Sequence, residues 1–100
     1  MNINQYQKEV NNLFDEISKK KNRKPTKEEV FIHLIEEIGE LAKQIINEKI
    51  RKEKFSLENL KEEIADSILF LTYLASQYNL DLEETLRKDT EKLKKRFNLR

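Results

Sequence analysis

The chain has no cysteine, no tryptophan, one glycine (Gly39), one proline (Pro25) and one histidine (His33) in 100 residues. Each scarcity removes a class of protein. Without cysteine there is no disulfide framework, no Cys-type zinc site and no thiol nucleophile. One histidine rules out a multi-His zinc site. A single glycine cannot build the glycine-rich phosphate cradle of a Rossmann or P-loop nucleotide site. So little glycine and proline also argues against an all-β domain, whose many turns consume both. No stretch approaches the ~20 apolar residues of a membrane span; the longest apolar tract, Ile68 to Ala75, also contains Thr72. An excess of one charge is missing too. Lys+Arg is 20 and Asp+Glu is 19, without the basic surplus that general nucleic-acid binding needs. Neither a membrane nor a nucleic-acid partner is expected. The N-terminus, Met-Asn-Ile-Asn-Gln, has no basic n-region and no apolar h-region, so a cytoplasmic location is expected.

What is present is charge and periodicity. The hydrophobic fraction is 37% and the charged fraction 39%, and the apolar residues recur at regular steps, which opposes disorder. This length suits one domain, taken as residues 1–100. Four helices are predicted, giving an all-α bundle. In the first, Ile3, Tyr6, Val10, Leu13, Phe14 and Ile17 recur at three- and four-residue steps, and Lys19 to Lys24 before Pro25 close it. That basic run reads as a solvated helix end and loop, with a phosphate-attracting loop as the competing reading. The second starts at Thr26-Lys27-Glu28-Glu29, a capping-box pattern, and runs to about Lys49 with a broad apolar stripe that includes Phe31, Leu34, Ile38, Leu41 and Ile45. The third starts near Ser56, a good N-cap, and runs to about Tyr78. Its apolar tract, Ile68 to Ala75, calls for burial on several sides, and a subunit interface is the expected cover. The fourth starts at Asp81, with Glu84 three residues on, and carries Leu82, Leu86, Leu93 and Phe97.

Two acidic clusters break the apolar pattern, Glu36-Glu37-Ile38-Gly39-Glu40 and Glu62-Glu63-Ile64-Ala65-Asp66. In each, acids at i and i+3 share one side of a helix. With Glu37 at 0° on a wheel of 100° per residue, Glu40 falls near 300°, and Leu34, Leu41, Ile38 and Ile45 fall at roughly 40–100°. The third helix repeats this with Glu63 and Asp66. Both pairs are thus expected at the margin of an apolar stripe. Facing each other there they would repel, and a hard cation between them would relieve the repulsion. Carboxylates with no cysteine suit Mg²⁺, with Mn²⁺ as substitute, and such an ion shares its shell with water and phosphate oxygens. The competing reading is a solvated acidic face paired with lysines.

Leu34-Ile35-Glu36-Glu37-Ile38-Gly39-Glu40-Leu41-Ala42, followed by Glu62-Glu63-Ile64-Ala65-Asp66, resembles the MazG-like all-α nucleoside triphosphate pyrophosphohydrolases, whose pattern is E-x-x-E, a spacer, then E-x-x-D. The resemblance implies a four-helix bundle assembled into a dimer or tetramer. It implies Glu37, Glu40, Glu63 and Asp66 as metal ligands and catalytic residues. The reaction it implies is Mg²⁺-dependent hydrolysis of a (deoxy)nucleoside triphosphate to the monophosphate and pyrophosphate, a housekeeping of the nucleotide pool. The basic ending Lys92 to Phe97 fits the family, although Thr90 stands where the family often has Asn. Lys88, Lys92 and Arg96, spaced four apart, are candidate phosphate contacts beside the ordinary preference of helix C-termini for cations. His33, one turn before Glu37, is a candidate to orient a ligand or touch phosphate. Phe70, one turn after Asp66, is a candidate to stack on a base. Tyr73, Asn47, Tyr6 and Phe14 are weaker candidates, read first as core. The alternative function is a non-catalytic helical module that binds a metal, a nucleotide or a partner.

Overall fold

A computed structural model describes residues 1–100. Four helices form, α1 (Ile3–Lys21), α2 (Lys27–Ile50), α3 (Leu57–Gln77) and α4 (Leu82–Arg96), with a single 3₁₀ turn at Lys52–Lys54 between α2 and α3. No strand is present, as the scarcity of turn residues required.

The helix starts follow from capping chemistry. At Asn2 and Thr26 the cap side chain accepts from the third backbone N–H, and Gln5 and Glu29 reach back to the cap. Ser56 accepts from the Asn59 N–H, and Asp81 from the Glu84 N–H. These bonds satisfy N–H groups that no helix can satisfy internally. The stops hold something the sequence did not announce. Asn22, Asn79 and Asn98 adopt left-handed backbone conformations with φ of 53°, 57° and 59°. Asparagine is the residue other than glycine that visits this region most readily, so three asparagines do the work a glycine-poor chain lacks. The one glycine, Gly39, sits inside α2, where an added Cβ would meet only open space.

Side-chain amides tie the helices into one arrangement. The Ser56 N–H donates to Gln44 Oε1 at 2.9 Å, and Gln77 Nε2 donates to the Pro25 carbonyl at 3.1 Å. The first bond joins the end of α2 to the start of α3, and the second joins the opposite ends. The two helices therefore run antiparallel as a long hairpin. Gln7 of α1, itself buried, donates from Nε2 to Ser76 Oγ and the Leu80 carbonyl, and its Oε1 accepts from the Leu82 N–H. That single side chain fixes α1 against the end of α3 and the start of α4.

The core is small and lies at one end. Val10, Phe14, Val30 and Tyr73 form it, with Tyr6, Leu69, Phe70 and Leu74 packed around. Phe14 lies flat on Tyr73, ring centroids 4.0 Å apart and planes 8° from parallel. The apolar stripes are only partly covered within one chain. The tract Ile68 to Ala75 is not buried all round within the chain: Thr72 and Tyr73 are buried, but Ile68 and Leu71 are about half exposed. The α2 stripe also divides. Leu34 faces inward, while Phe31, Ile35, Ile38, Ile45 and Ile46 are each more than two-fifths exposed. The physical reason is the number of neighbours. α2 and α3 pack chiefly on each other, α1 covers one side, and α4 makes no contact with α2. The radius of gyration is 16.4 Å, against about 13 Å for a compact domain of this length.

Candidate functional site

The antiparallel pairing of α2 and α3 sets the acids. On α2 the inward line reads Val30, Leu34, Glu37, Leu41 and Gln44, all buried or half-buried; on α3 it reads Leu60, Glu63, Ser67 and Leu74. Glu37 and Glu63 thus occupy the seam itself. The sequence wheel placed them at the margin of the apolar stripe because it took the middle of that stripe for the inside. The middle of the stripe faces outward in this chain, so the acids move inward.

Glu37, Glu63 and Asp66 are half-buried and sense one another. Burial pushes the Glu37 carboxyl up to about 7, aided by a hydrogen bond with Glu63 and by the negative charges of Asp66, Glu63 and Glu36. Each of these makes a second negative charge costly in a partly desolvated place. No lysine or arginine lies within ion-pairing distance of the three; the cations pair elsewhere. Tyr6 of α1 stands over the same region. Burial holds its phenol above the ordinary value, and the charges of Glu9 and Asp66 add to the effect.

The fourth acid of the pattern differs. Glu40 is exposed, one turn along α2, with Lys43 Nζ at 4.0 Å. Glu36 and Glu62 are also exposed, and Glu36 lies 3.8 Å from His33 Nδ1. No set of three or more Asp, Glu or His side chains is drawn together as a finished metal cage. The donor set is all oxygen, half-buried and electrically uncompensated. Those properties fit a hard divalent cation better than a structural salt bridge.

A pocket of about 370 Å³ lies between α1, the loop before α2, the first turns of α2, and α3, within the size range of small-molecule sites; none of the clustered acids lines it. His33 and Phe70, one helical turn from Glu37 and Asp66, form part of its wall, their rings 5.7 Å apart and 16° from parallel. Phe70 also meets Phe14 at 6.2 Å in a tilted contact. At the other end Arg23 and Glu29 line the pocket as a two-pronged ion pair, one prong at 2.8 Å. The Arg23 guanidinium, with the Thr26 N–H, lowers the Glu29 carboxyl to about 2. The basic run before Pro25 thus holds a formed carboxylate–guanidinium edge. Sequence reasoning missed this edge, as it missed Tyr6 over Asp66. The capping box that places Glu29 was the available signal.

The candidate phosphate contacts of α4 are not brought to the acids within the chain. Lys88 Nζ pairs with Glu84 at 2.8 Å and Lys92 Nζ with Asp89 at 2.9 Å, while Arg96 lies in the last turn without an ion pair. Tyr73 is core, and Asn47 caps the end of α2 through its carbonyl, which accepts from Arg51.

Comparison with known families matches residues 25–99 to the MazG nucleotide pyrophosphohydrolase domain. The match takes in α2, α3 and α4, and with them both acidic clusters. Comparison with curated proteins and with solved structures returned no match.

Proposed function

The chain belongs to the MazG nucleotide pyrophosphohydrolase domain family, and from that premise we propose that it hydrolyses (deoxy)nucleoside triphosphates at the α–β anhydride, releasing the monophosphate and pyrophosphate. The observation that carries this reading is the uncompensated group Glu37, Glu63 and Asp66 in the α2–α3 seam, with His33 and Phe70, one helical turn from Glu37 and Asp66, lining a pocket of small-molecule size. Glu37, Glu40, Glu63 and Asp66 would hold one or two Mg²⁺, or Mn²⁺ in its place. Bound there, the ion supplies charge neutralisation on the leaving pyrophosphate and lowers the pKa of a bound water.

The protein's own groups do the rest. His33 and Phe70 hold the nucleoside, with Phe70 offering a face for the base. Arg23 and Glu29 present donors and an ionised acceptor at the far end of the pocket, able to read a base edge. A carboxylate of the cluster accepts a proton from water as the water oxygen bonds to phosphorus and the bridging P–O bond breaks. Tyr6 lies close enough for the Asp66 charge to raise its phenol further, which places a neutral aromatic side chain beside the acids.

The same reading includes self-association as a dimer or dimer-paired tetramer, because Phe31, Ile35, Ile46, Ile68 and Leu71 of α2 and α3 are about half exposed, and exposed apolar patches mark interaction surfaces. No helix is long and apolar enough to cross a membrane.

The experiment is a panel of canonical and damaged nucleoside triphosphates with Mg²⁺, followed for pyrophosphate and orthophosphate separately. Pyrophosphate with monophosphate is the expected result. Orthophosphate release, or nucleotide binding without turnover, overturns the reading, the latter in favour of a non-catalytic module.

A further inference from the structure

The pocket and the acid cluster fall on matching rows of the α2–α3 hairpin. On α2, Glu29, His33 and Glu37 follow at four-residue steps and share one side of the helix. On α3, Asp66 and Phe70 do the same in the opposite direction. Phe70 meets His33, ring centroids 5.7 Å apart, and the charge of Asp66 reaches Glu37. The two rows therefore run side by side, with the acids at one level and the rings at the next. Glu29 stands one turn beyond the rings, where it binds Arg23. From Glu37 to Glu29 the axial distance is about 12 Å at helical rise. That is the order of length of a nucleotide with its phosphates at the acids and its base at Arg23.

At that end a guanidinium is held in one orientation. Glu29 Oε1 accepts from Arg23 Nη1 at 2.8 Å, and Glu29 Oε2 accepts from Nη2. Glu29 is itself fixed by its capping box, with Oε1 also accepting from the Thr26 N–H at 3.2 Å and the Thr26 hydroxyl at 3.1 Å. Arg23 is fixed at its backbone, where its N–H donates to the Ser18 carbonyl at 3.0 Å, just after the left-handed Asn22. The carboxylate thus takes only the Nη1–Nη2 edge of the guanidinium. A second two-donor edge, Nε–H with the neighbouring Nη–H, has no partner in the chain. Both residues line the pocket. Two parallel donors match two adjacent acceptors. Among the bases, guanine alone offers these on its outer edge, as O6 and N7. Adenine puts an amino donor beside N7, cytosine shows an amino donor, and thymine has one acceptor beside a methyl group.

We propose that Arg23, held by Glu29, reads the O6–N7 edge of guanine while the ring lies on Phe70 and His33, so that guanine (deoxy)nucleoside triphosphates are the preferred substrates. This rests on the hydrolase reading for turnover, but the base contact itself does not. Glu29 is a positioning residue. It holds in one place a side chain that is 64% exposed and that otherwise keeps its rotamer freedom in solvent. Arg23→Lys keeps the charge and loses the fork. A guanine whose N7 carries a proton, as in its 8-oxo form, loses the match from the other side.

The first test changes the substrate and nothing in the protein. Pyrophosphate release by the wild type with Mg²⁺ is followed for dGTP, dITP, 7-deaza-dGTP, dATP, dCTP and dTTP. The base of dITP keeps O6 and N7 and lacks only the amino group; 7-deaza-dGTP has C–H in place of N7. Similar kcat/KM is expected for dGTP and dITP. Values at least about 5-fold lower are expected for 7-deaza-dGTP and dATP, the lower end of what a bidentate base contact discriminates. Equal values for dGTP and 7-deaza-dGTP, or a preference for another base, overturn the proposal and leave the hydrolase reading standing. The second test is Arg23→Lys, expected to bring dGTP down to the level of 7-deaza-dGTP. A loss shared equally by the two substrates marks a structural role and overturns the contact. Should no triphosphate be turned over, the hydrolase reading fails, and equilibrium binding of dGTP and 7-deaza-dGTP with Mg²⁺ decides the base contact. Weaker binding of 7-deaza-dGTP supports it; equal affinity, or no binding of either, overturns it.

Discussion

The two ends of the α2–α3 hairpin are made of similar residues and live in different surroundings. At the root, where α2 begins and α3 ends, Val30 and Thr72 are 1% exposed and Phe14 of α1 lies flat on Tyr73. At the tip, Ile50 is 75% exposed and Leu57 53% exposed, although both are as apolar as anything in the core. The difference is supplied by α1, which reaches the root and not the tip. The acids sit between the two, near enough to the root to be half-buried and far enough from it to face no cation. Stability and chemistry are thereby separated along one hairpin, and each can be attacked alone.

The largest effect belongs to the root. Phe14→Ala removes the ring stacked on Tyr73 and should cost about 3–5 kcal/mol, read as a lowered denaturation midpoint. Ile50→Ala at the tip should change the stability of the isolated chain by no more than about 0.5 kcal/mol. Equal losses at the two positions would erase the distinction drawn between the ends.

Between them, Asp66→Asn should lower pyrophosphate release on the order of 10²–10³-fold, the scale of removing one electrostatic contact to a transition state. Its metal-free melting temperature should stay equal or rise, because one of several repelling charges is gone. Full activity with Mg²⁺ would remove Asp66 from the site.

Titration separates the regions with opposite signs. Glu37 has a folded value raised to about 7, so the fold prefers its protonated form. In metal-free protein its contribution is fully present below the ordinary carboxylate value and is lost as pH rises towards 7. Glu29, lowered to about 2 by Arg23, contributes above the ordinary carboxylate value and loses that contribution as pH falls towards 2. Melting temperature against pH in a chelator should therefore fall between about pH 5 and 7 in the wild type. It should flatten there in Glu37→Gln, and the wild-type slope should vanish on adding Mg²⁺. A Glu37→Gln curve parallel to wild type would show that Glu37 is not the group responsible.

At Gly39 the expected change is a gain. An added Cβ meets open space, so Gly39→Ala in this helix interior should stabilise by about 1 kcal/mol, a rise of roughly 4–8 °C in melting temperature. A loss of stability in the assembled protein, with the gain retained in dilute monomer, would place a second chain against α2 at this point.

The helices were legible because their signals are local. Thr26 with Glu29, and Asp81 with Glu84, name their own helix starts, since the cap bonds lie within four residues. The stops at Asn22 and Asn79 were less legible, because an asparagine declares a left-handed turn only once the flanking helices are in place. The grouping of acids was legible as spacing. Glu37 and Glu63 were still misplaced by one side of a wheel, because a wheel knows which residues are apolar and not which neighbour covers them. Tyr6 near Asp66 and Arg23 on Glu29 join different elements and left no periodic trace.

By itself, then, the sequence determined an all-α chain, the ends of its helices and two acidic pairs on consecutive helices, because capping and periodicity act over a few residues. Tertiary structure alone decided which side of the apolar stripe is inside, that Glu37 and Glu63 share the seam while Glu40 remains in solvent, and that the second half of α4 is left uncovered by its own chain, because burial depends on what the rest of the molecule brings alongside.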